Sequence, residues 1–201
     1  MLRERVLFGG EEYSIMEMDF AEQRSYFMKT VADFVITIPD FPEEGILFRD
    51  VTGVLNDAEG LRLAVDSLKE KLEGVEFDIL AGAESRGFLF GMPLAYLLGK
   101  PFALIRKKGK LPRETISQAY ELEYGMAEIE LHTDSVHPGQ KVVLIDDLLA
   151  TGGTMQAAAQ LVEALGGEVV KMLFLIELAG LKGREKLSNY TVDSVVVYEG
   201  K

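Results

Sequence analysis

The chain reads as an α/β protein with a mostly parallel twisted sheet and helices on both faces. Three observations lead there. Short apolar runs alternate with longer segments of helical periodicity, the pattern of parallel strands joined by crossover helices. Glycine-rich or charged turns follow those runs at 82–87, 106–112 and 146–154, where ligands sit in such sheets. The 201 residues, 48% of them hydrophobic, suffice for one well-buried domain and hardly for two.

Residues 1–18 are mixed in character, broken by Gly9-Gly10, and form an N-terminal arm; 19–201 form one domain. Phe20, Phe27, Val31 and Phe34 recur with helical spacing, with Asp19 placed to cap that helix. Pro39, Pro42 and Gly45 make 38–46 a loop. The 57–72 segment is an amphipathic helix. Leu61, Leu63, Ala64, Leu68 and Leu72 turn inward, and Glu59, Arg62, Asp66 and Glu70 turn outward.

A short apolar strand at 77–81 is followed by a turn bracketed by Gly82 and Gly87, then a helix at 88–98. The run GFLFGMPLAYLLG (87–99) is too short to span a bilayer and reads as a buried helix. After a strand at 101–105, residues 106–117 are basic, contain Gly109 and Pro112, and read as a long loop, a feature that is usually functional in a compact domain. Residues 118–123 and 126–132 alternate around Gly125, a hairpin signal. Buried strands at 141–145 and 169–176 flank a helix at 154–165, and 194–198 is the last strand.

A net charge of −12 argues against a nucleic-acid surface, which needs a basic face. An anionic ligand would need local positive charge, which Arg106, Lys107, Lys108 and Lys110 concentrate within five positions. The absence of cysteine excludes disulfides, thiol catalysis and zinc–thiolate sites. With only His132 and His137, a histidine metal cluster or a Ser-His-Asp triad has little to draw on. The N-terminus has no basic region followed by a long apolar stretch, so a cytoplasmic protein with no membrane partner is expected.

The most informative segment is VVLIDDLLATGGTMQAAAQLVEAL (142–165): strand, acidic pair, glycine turn, helix. A helix N-terminus offers unpaired N–H groups and the positive end of the helix dipole, which suit a phosphate. Gly152 and Gly153 let the backbone approach an anion, and Thr151 and Thr154 add hydroxyl donors. Asp146 and Asp147 would repel a phosphate. They make sense as acceptors for ribose hydroxyls, or as a cation site through water. Side chains alternate along a strand, so both carboxylates face one ligand only if the strand ends here. The expected ligand is a sugar phosphate; the alternative is a plain strand-to-helix turn with acidic residues.

GAESRG (82–87) has P-loop spacing, but Phe88 stands where a Walker A motif needs lysine. Arg86 suits pyrophosphate oxygens through its guanidinium fork, the alternative being a solvated surface turn. RKKGKLPRE (106–114) reads either as a solvated charged loop or as an anion-closing one. Glu121 and Glu123 share a face of their strand.

VVLIDDLLATGGT resembles the phosphoribosyl-pyrophosphate (PRPP) signature of the type I phosphoribosyltransferases. Leu-Leu-Ala before Thr-Gly-Gly-Thr is similar to the adenine-specific branch. FPEEGILFRDVTGVL (41–55), ESRGFLFG (84–91), LIRKKGKLP (104–112), YELEYG (120–125) and LKGREKL (181–187) agree with that branch, in order, over roughly 38–198.

The resemblance implies the type I phosphoribosyltransferase fold with a small N-terminal hood, contributed by about 36–56, over a purine site. It also implies transfer of the 5-phosphoribosyl group from PRPP to adenine, giving AMP and pyrophosphate, with Mg²⁺ held mainly through PRPP and water. The phosphate would lie at Ala150, Thr151, Gly152, Gly153 and Thr154, and the ribose hydroxyls at Asp146 and Asp147. Arg86, Lys107 and Tyr124 would also contact PRPP or AMP. A non-proline cis peptide is implied at Glu84–Ser85.

By the same resemblance, 106–117 is a flexible loop closing over PRPP, with Lys110 catalytic beside Arg86, in a homodimer where the loop serves its own or the partner's site. Glu123 would handle the purine proton. Phe48 would stack on adenine, with Leu47 and Arg49 reading the base edge through their main chains. Otherwise Arg49 and Asp50 would form a structural ion pair. Two further readings are a hypoxanthine, guanine or xanthine phosphoribosyltransferase and a non-catalytic PRPP-sensing regulator. The regulator is disfavoured because the first 37 residues carry only Arg3, Arg5, Arg24 and Lys29 against an excess of carboxylates.

Overall fold

The computed structural model describes residues 5–8, 11–14, 29–122 and 125–200. Strands β1 (Arg5–Phe8) and β2 (Glu11–Ser14) pair antiparallel as a hairpin of their own. Most of the helix expected at 19–34 falls outside the described residues. Its last turn, Val31–Phe34, is a 3-10 turn, where the Asp33 carboxylate accepts from the Thr30 N–H at 2.6 Å.

Strands β3 (Ile36–Pro39) and β4 (Leu47–Asp50) form a separate antiparallel pair that places Ile38 opposite Phe48. Asp50 ends that strand by accepting from the Thr52 N–H at 2.9 Å, which starts helix α1 (Thr52–Asn56). The alternative Arg49–Asp50 ion pair does not form. Asp50 caps α1, while the Arg49 guanidinium lies 3.9 Å from the centre of the Tyr198 ring. Helix α2 (Ala58–Glu70) starts at Asp57, whose carboxylate accepts from the N–H groups of Glu59 and Gly60. Its inward face is Gly60, Ala64, Val65 and Leu68, with Leu61 and Leu63 half-buried at the margin.

The central sheet takes the rest of the chain: β5 (Ile79–Ala83), α3 (Arg86–Leu98), β6 (Phe102–Lys107), β7 (Thr115–Leu122), β8 (Gly125–His132), β9 (Lys141–Leu149), α4 (Gly153–Ala164), β10 (Glu168–Leu178), α5 (Gly183–Lys186) and β11 (Val192–Tyr198). The strand order is β11-β10-β9-β5-β6-β8-β7. Strands β11 through β6 are parallel; β8 and β7 are antiparallel at one edge.

Alternation along each strand makes two cores. On one face Val142, Leu144, Met172 and Phe174 pack under α4, with Met155, Ala158 and Val162. On the other Val143, Ile145, Leu173 and Leu175 pack under α2 and α3, with Leu68, Phe90 and Leu94. Each large side chain so buried contributes about 1.5–3 kcal/mol.

Three expectations need correction. Strand β9 does not end at Ile145 but runs on to Leu149. The basic segment is not a twelve-residue loop: β6 continues to Lys107 and β7 starts at Thr115, leaving a seven-residue turn at 108–114. It is also anchored, because the buried Glu130 carboxylate accepts from the N–H groups of Lys110 and Leu111 at 2.9 and 2.7 Å. Finally, α3 is buried on one side only. Phe90, Leu94 and Ala95 face the core, while Leu89, Met92, Tyr96 and Leu97 are exposed. A helix apolar all round has no polar face to give to water.

Candidate active site

Strands β5 and β9 pair only as far as Gly82 and Ile145. Beyond that, β9 stays bonded to β10 alone, through Asp146, Leu148 and Leu149. Chain order also reverses here, with β5 leading to β6 on one side and β9 to β10 on the other. The fork between them opens a cleft at the carboxyl ends of the strands, where such sheets bind ligands. The cleft, about 730 Å³, is lined by Glu84, Ser85, Arg86, Lys107, Lys108, Tyr120, Asp146, Asp147 and Thr154 among others.

Both aspartates reach this cleft although the strand does not end at them. With β5 no longer alongside, the Asp147 N–H donates to Asp146 Oδ1 at 2.8 Å. Gly87 permits the opposing helix to come close. A Cβ there would lie 2.9 Å from both the Ile145 carbonyl oxygen and Asp146 Oδ1. The start of α3 therefore presses on β9 at the acidic pair, and Arg86 Nε meets Asp147 Oδ2 at 2.6 Å. Asp147 is buried at its end of this ion pair, while Arg86 opens to the cleft. Burial, and then the neighbouring Asp147 charge, raise the Asp146 pKa well above the ordinary carboxylate range.

The Glu84–Ser85 peptide bond, one residue ahead of Arg86, is cis. Glu84 is held by Arg106, with Nε to Oε2 at 3.1 Å, and by the Lys107 N–H at 3.0 Å. Burial pushes its pKa up, but the Arg106 and Lys107 contacts outweigh this and leave it lowered.

The turn after β9 forms an adjoining hollow lined by Asp146, Leu148 to Met155 and Phe174. Gly152 takes a φ of +80°, open to glycine, and leads into α4 at Gly153. Thr154 Oγ1 donates to the Tyr120 hydroxyl at 3.2 Å, tying the helix start to β7.

The cleft thus gathers Arg86, Lys107, Asp146, Asp147 and Thr154, with Ala150 to Gly153 beside it. Lys110 does not line it; its backbone is engaged by Glu130 and Arg106. Leu47, Phe48 and Arg49 lie on β4, outside this lining, with Phe48 edge-on to Phe41 at 5.2 Å. Glu123 and Tyr124 lie outside the described residues. Sequence reasoning missed Tyr120, and it placed Lys108 only in a general basic cluster. Tyr120 sits in the hairpin strand one register step from Glu121. Lys108 reaches the cleft wall because Glu128, opposite on β8, holds its ammonium at 2.8 Å.

A phosphoribosyl transferase domain model matches residues 55–199. The adenine phosphoribosyltransferase of Agathobacter rectalis is 70% identical over 174 residues, 87% of this chain and all of that protein. Among solved structures, the adenine phosphoribosyltransferase of Thermoanaerobacter pseudethanolicus aligns with a TM-score of 0.81 at 52% identity, covering 84% of this chain and 98% of the other. That of Saccharomyces cerevisiae, complexed with an imino-altritol bisphosphate and adenine, aligns with a TM-score of 0.77 at 39% identity, covering 82% and 96%. Likeness of this degree, over nearly the full length of these proteins and through the whole cleft-forming sheet, means that the chain belongs to the adenine phosphoribosyltransferase family.

Proposed function

We propose that the chain transfers the 5-phosphoribosyl group of PRPP to adenine, giving AMP and pyrophosphate in purine salvage. One observation carries the reading: the acidic pair, the glycine turn and Arg86 converge at the fork of β5 and β9. The 5′-phosphate sits at Ala150–Thr154 and the ribose hydroxyls face Asp146 and Asp147. Pyrophosphate faces Arg86 and Lys107, with Lys110 on the neighbouring 108–114 turn, and Tyr124 is a further PRPP or AMP contact. The C1′–O bond to pyrophosphate loosens, C1′ gathers positive charge, and adenine N9 attacks it as its proton passes to Glu123. Catalysis is mainly positioning and neutralisation of the leaving group. Adenine is held under the hood by Phe48, with Leu47 and Arg49 main-chain groups at its edge.

Mg²⁺ bound with PRPP supplies part of that neutralisation. Among the described residues no three carboxylate or imidazole groups converge, and Asp147 is engaged by Arg86. This donor set would suit a cation held mainly through PRPP oxygens and water, with no direct protein ligand.

The assembly is a homodimer. The exposed stripe of Leu89, Met92, Tyr96 and Leu97 on α3 supports this, because an apolar patch of that kind marks an association surface. No helix among the described residues is long and apolar enough to cross a membrane; the cytoplasm is the proposed compartment.

The test is a base panel with purified protein, PRPP and Mg²⁺. Adenine should be used at least about a hundredfold better than hypoxanthine or guanine, the discrimination expected of hydrogen bonds fitted to one base edge. Equal use of hypoxanthine rejects the adenine assignment.

A further inference from the structure

The turn that takes the 5′-phosphate in the reading above has only neutral donors, and its hollow is lined by one charged residue, Asp146. A phosphate monoester brings a charge of about −1.5 to −2 at pH 7. A cation beside the turn would add to what its N–H groups and the helix dipole supply, and the short helix α5 stands against it.

The two backbones interlock. A Cβ on Gly152 would lie 2.8 Å from the Gly183 carbonyl oxygen, and one on Gly183 would collide with the Ala150 carbonyl. Helix α5 is fixed in that place from behind. The Arg184 fork donates to Glu177, Nε to Oε1 at 2.6 Å and Nη2 to Oε2 at 2.7 Å, and Nη1 donates to the Val192 carbonyl at 2.7 Å. Ser194 donates to the same buried carboxylate at 2.6 Å, and Leu187 is fully buried.

Two residues after Arg184, the Lys186 side chain runs toward the start of α4. Its Nζ lies 4.0 Å from where a Cβ on Gly153 would be. Lys186 is exposed and, among the described residues, takes part in no ion pair. A cation beside the first residue of a helix faces the positive end of the dipole, an unfavourable place unless an anion lies there too. A neighbouring phosphate removes that conflict.

We propose that Lys186 is a phosphate-binding residue, its ammonium pairing with the 5′-phosphate in the Ala150–Thr154 turn while the Arg184–Glu177 clamp holds α5 in position. The proposal rests on the reading that this turn takes the 5′-phosphate.

The test compares AMP with adenosine, which lacks only the phosphate, by calorimetric titration and competition. Lys186→Met should weaken AMP about 3- to 30-fold, between the effect of an exposed ion pair and that of a charge-assisted hydrogen bond. Adenosine should stay within about twofold, Lys186→Arg should restore AMP, and the salt dependence of AMP binding should flatten in Lys186→Met. Parallel loss of AMP and adenosine would make Lys186 a merely structural residue and overturn the proposal. Thr151→Val, which removes an exposed hydroxyl of the turn, separates the two readings. If it weakens AMP while Lys186→Met does not, the turn holds the phosphate and Lys186 does not. If neither variant weakens AMP, the phosphate lies elsewhere and both readings fall.

Discussion

Arg86 and Asp147 form an ion pair across the mouth of the β5–β9 fork, Nε to Oδ2 at 2.6 Å, with the carboxylate buried and the guanidinium open to the cleft. In the proposed site one partner serves pyrophosphate and the other a ribose hydroxyl. The two halves are therefore not independent. Removing Arg86 leaves a buried carboxylate without its cation, and removing Asp147 frees Arg86.

The Arg86–Asp147 contact predicts non-additivity. Arg86→Ala and Asp147→Ala should each weaken PRPP, but the double variant should lose less than the product of the two factors. Residues in one ion pair typically couple by about 0.5–3 kcal/mol. Titration calorimetry on the four proteins measures it; additive losses would mean that the pair breaks when PRPP binds.

Glu123→Gln should lower kcat by about 10²–10⁴, the range for a lost acid–base group, with PRPP affinity little changed. Steady-state kinetics on both substrates checks this. Activity within threefold of the parent would move the proton transfer to another group or to water.

Glu130 supplies a pH test of the basic turn. Burial pushes its pKa up, but the N–H groups of Leu111, Gly109 and Lys110 outweigh burial and leave it below the ordinary glutamate value. A carboxyl lowered on folding stabilises the protein above its unfolded pKa, about 4.3. That contribution is lost as pH falls through the lower folded value. Glu130→Gln should therefore flatten the fall of Tm in that acid window. It should also speed amide exchange across 108–114 at neutral pH. Identical Tm profiles for the two proteins would show that the turn does not depend on this carboxylate.

The α3 stripe predicts the assembly. Light scattering should give a dimer, and Met92→Glu with Tyr96→Glu should give a monomer, since both side chains are more than half exposed in the isolated chain and charges are poorly tolerated at the centre of an interface. A parent protein that runs as a fully active monomer sinks both the dimer and a site shared between subunits.

Side-chain period and local capping and turn chemistry were enough to specify the strand–helix alternation, the glycine turn after an acidic pair and the helix that begins there. The helix after Asp57, the hairpin at Gly125 and the strand before Asp146 were all legible in that way. Tertiary structure decided the rest. Strand β9 runs past Asp146 because β10 keeps bonding it after β5 has stopped, and no local signal carries the length of a neighbouring strand. The basic turn is tied down by Glu130, twenty residues along the chain from Lys110. Arg49 stacks on Tyr198 instead of pairing with Asp50, and Gly183 locks against Ala150, because packing brings distant segments of the chain together. Local sequence fixes which residues are available to a site. Which of them meet depends on where strands end and which backbones come within contact, and that is settled only when the sheet closes around its two cores.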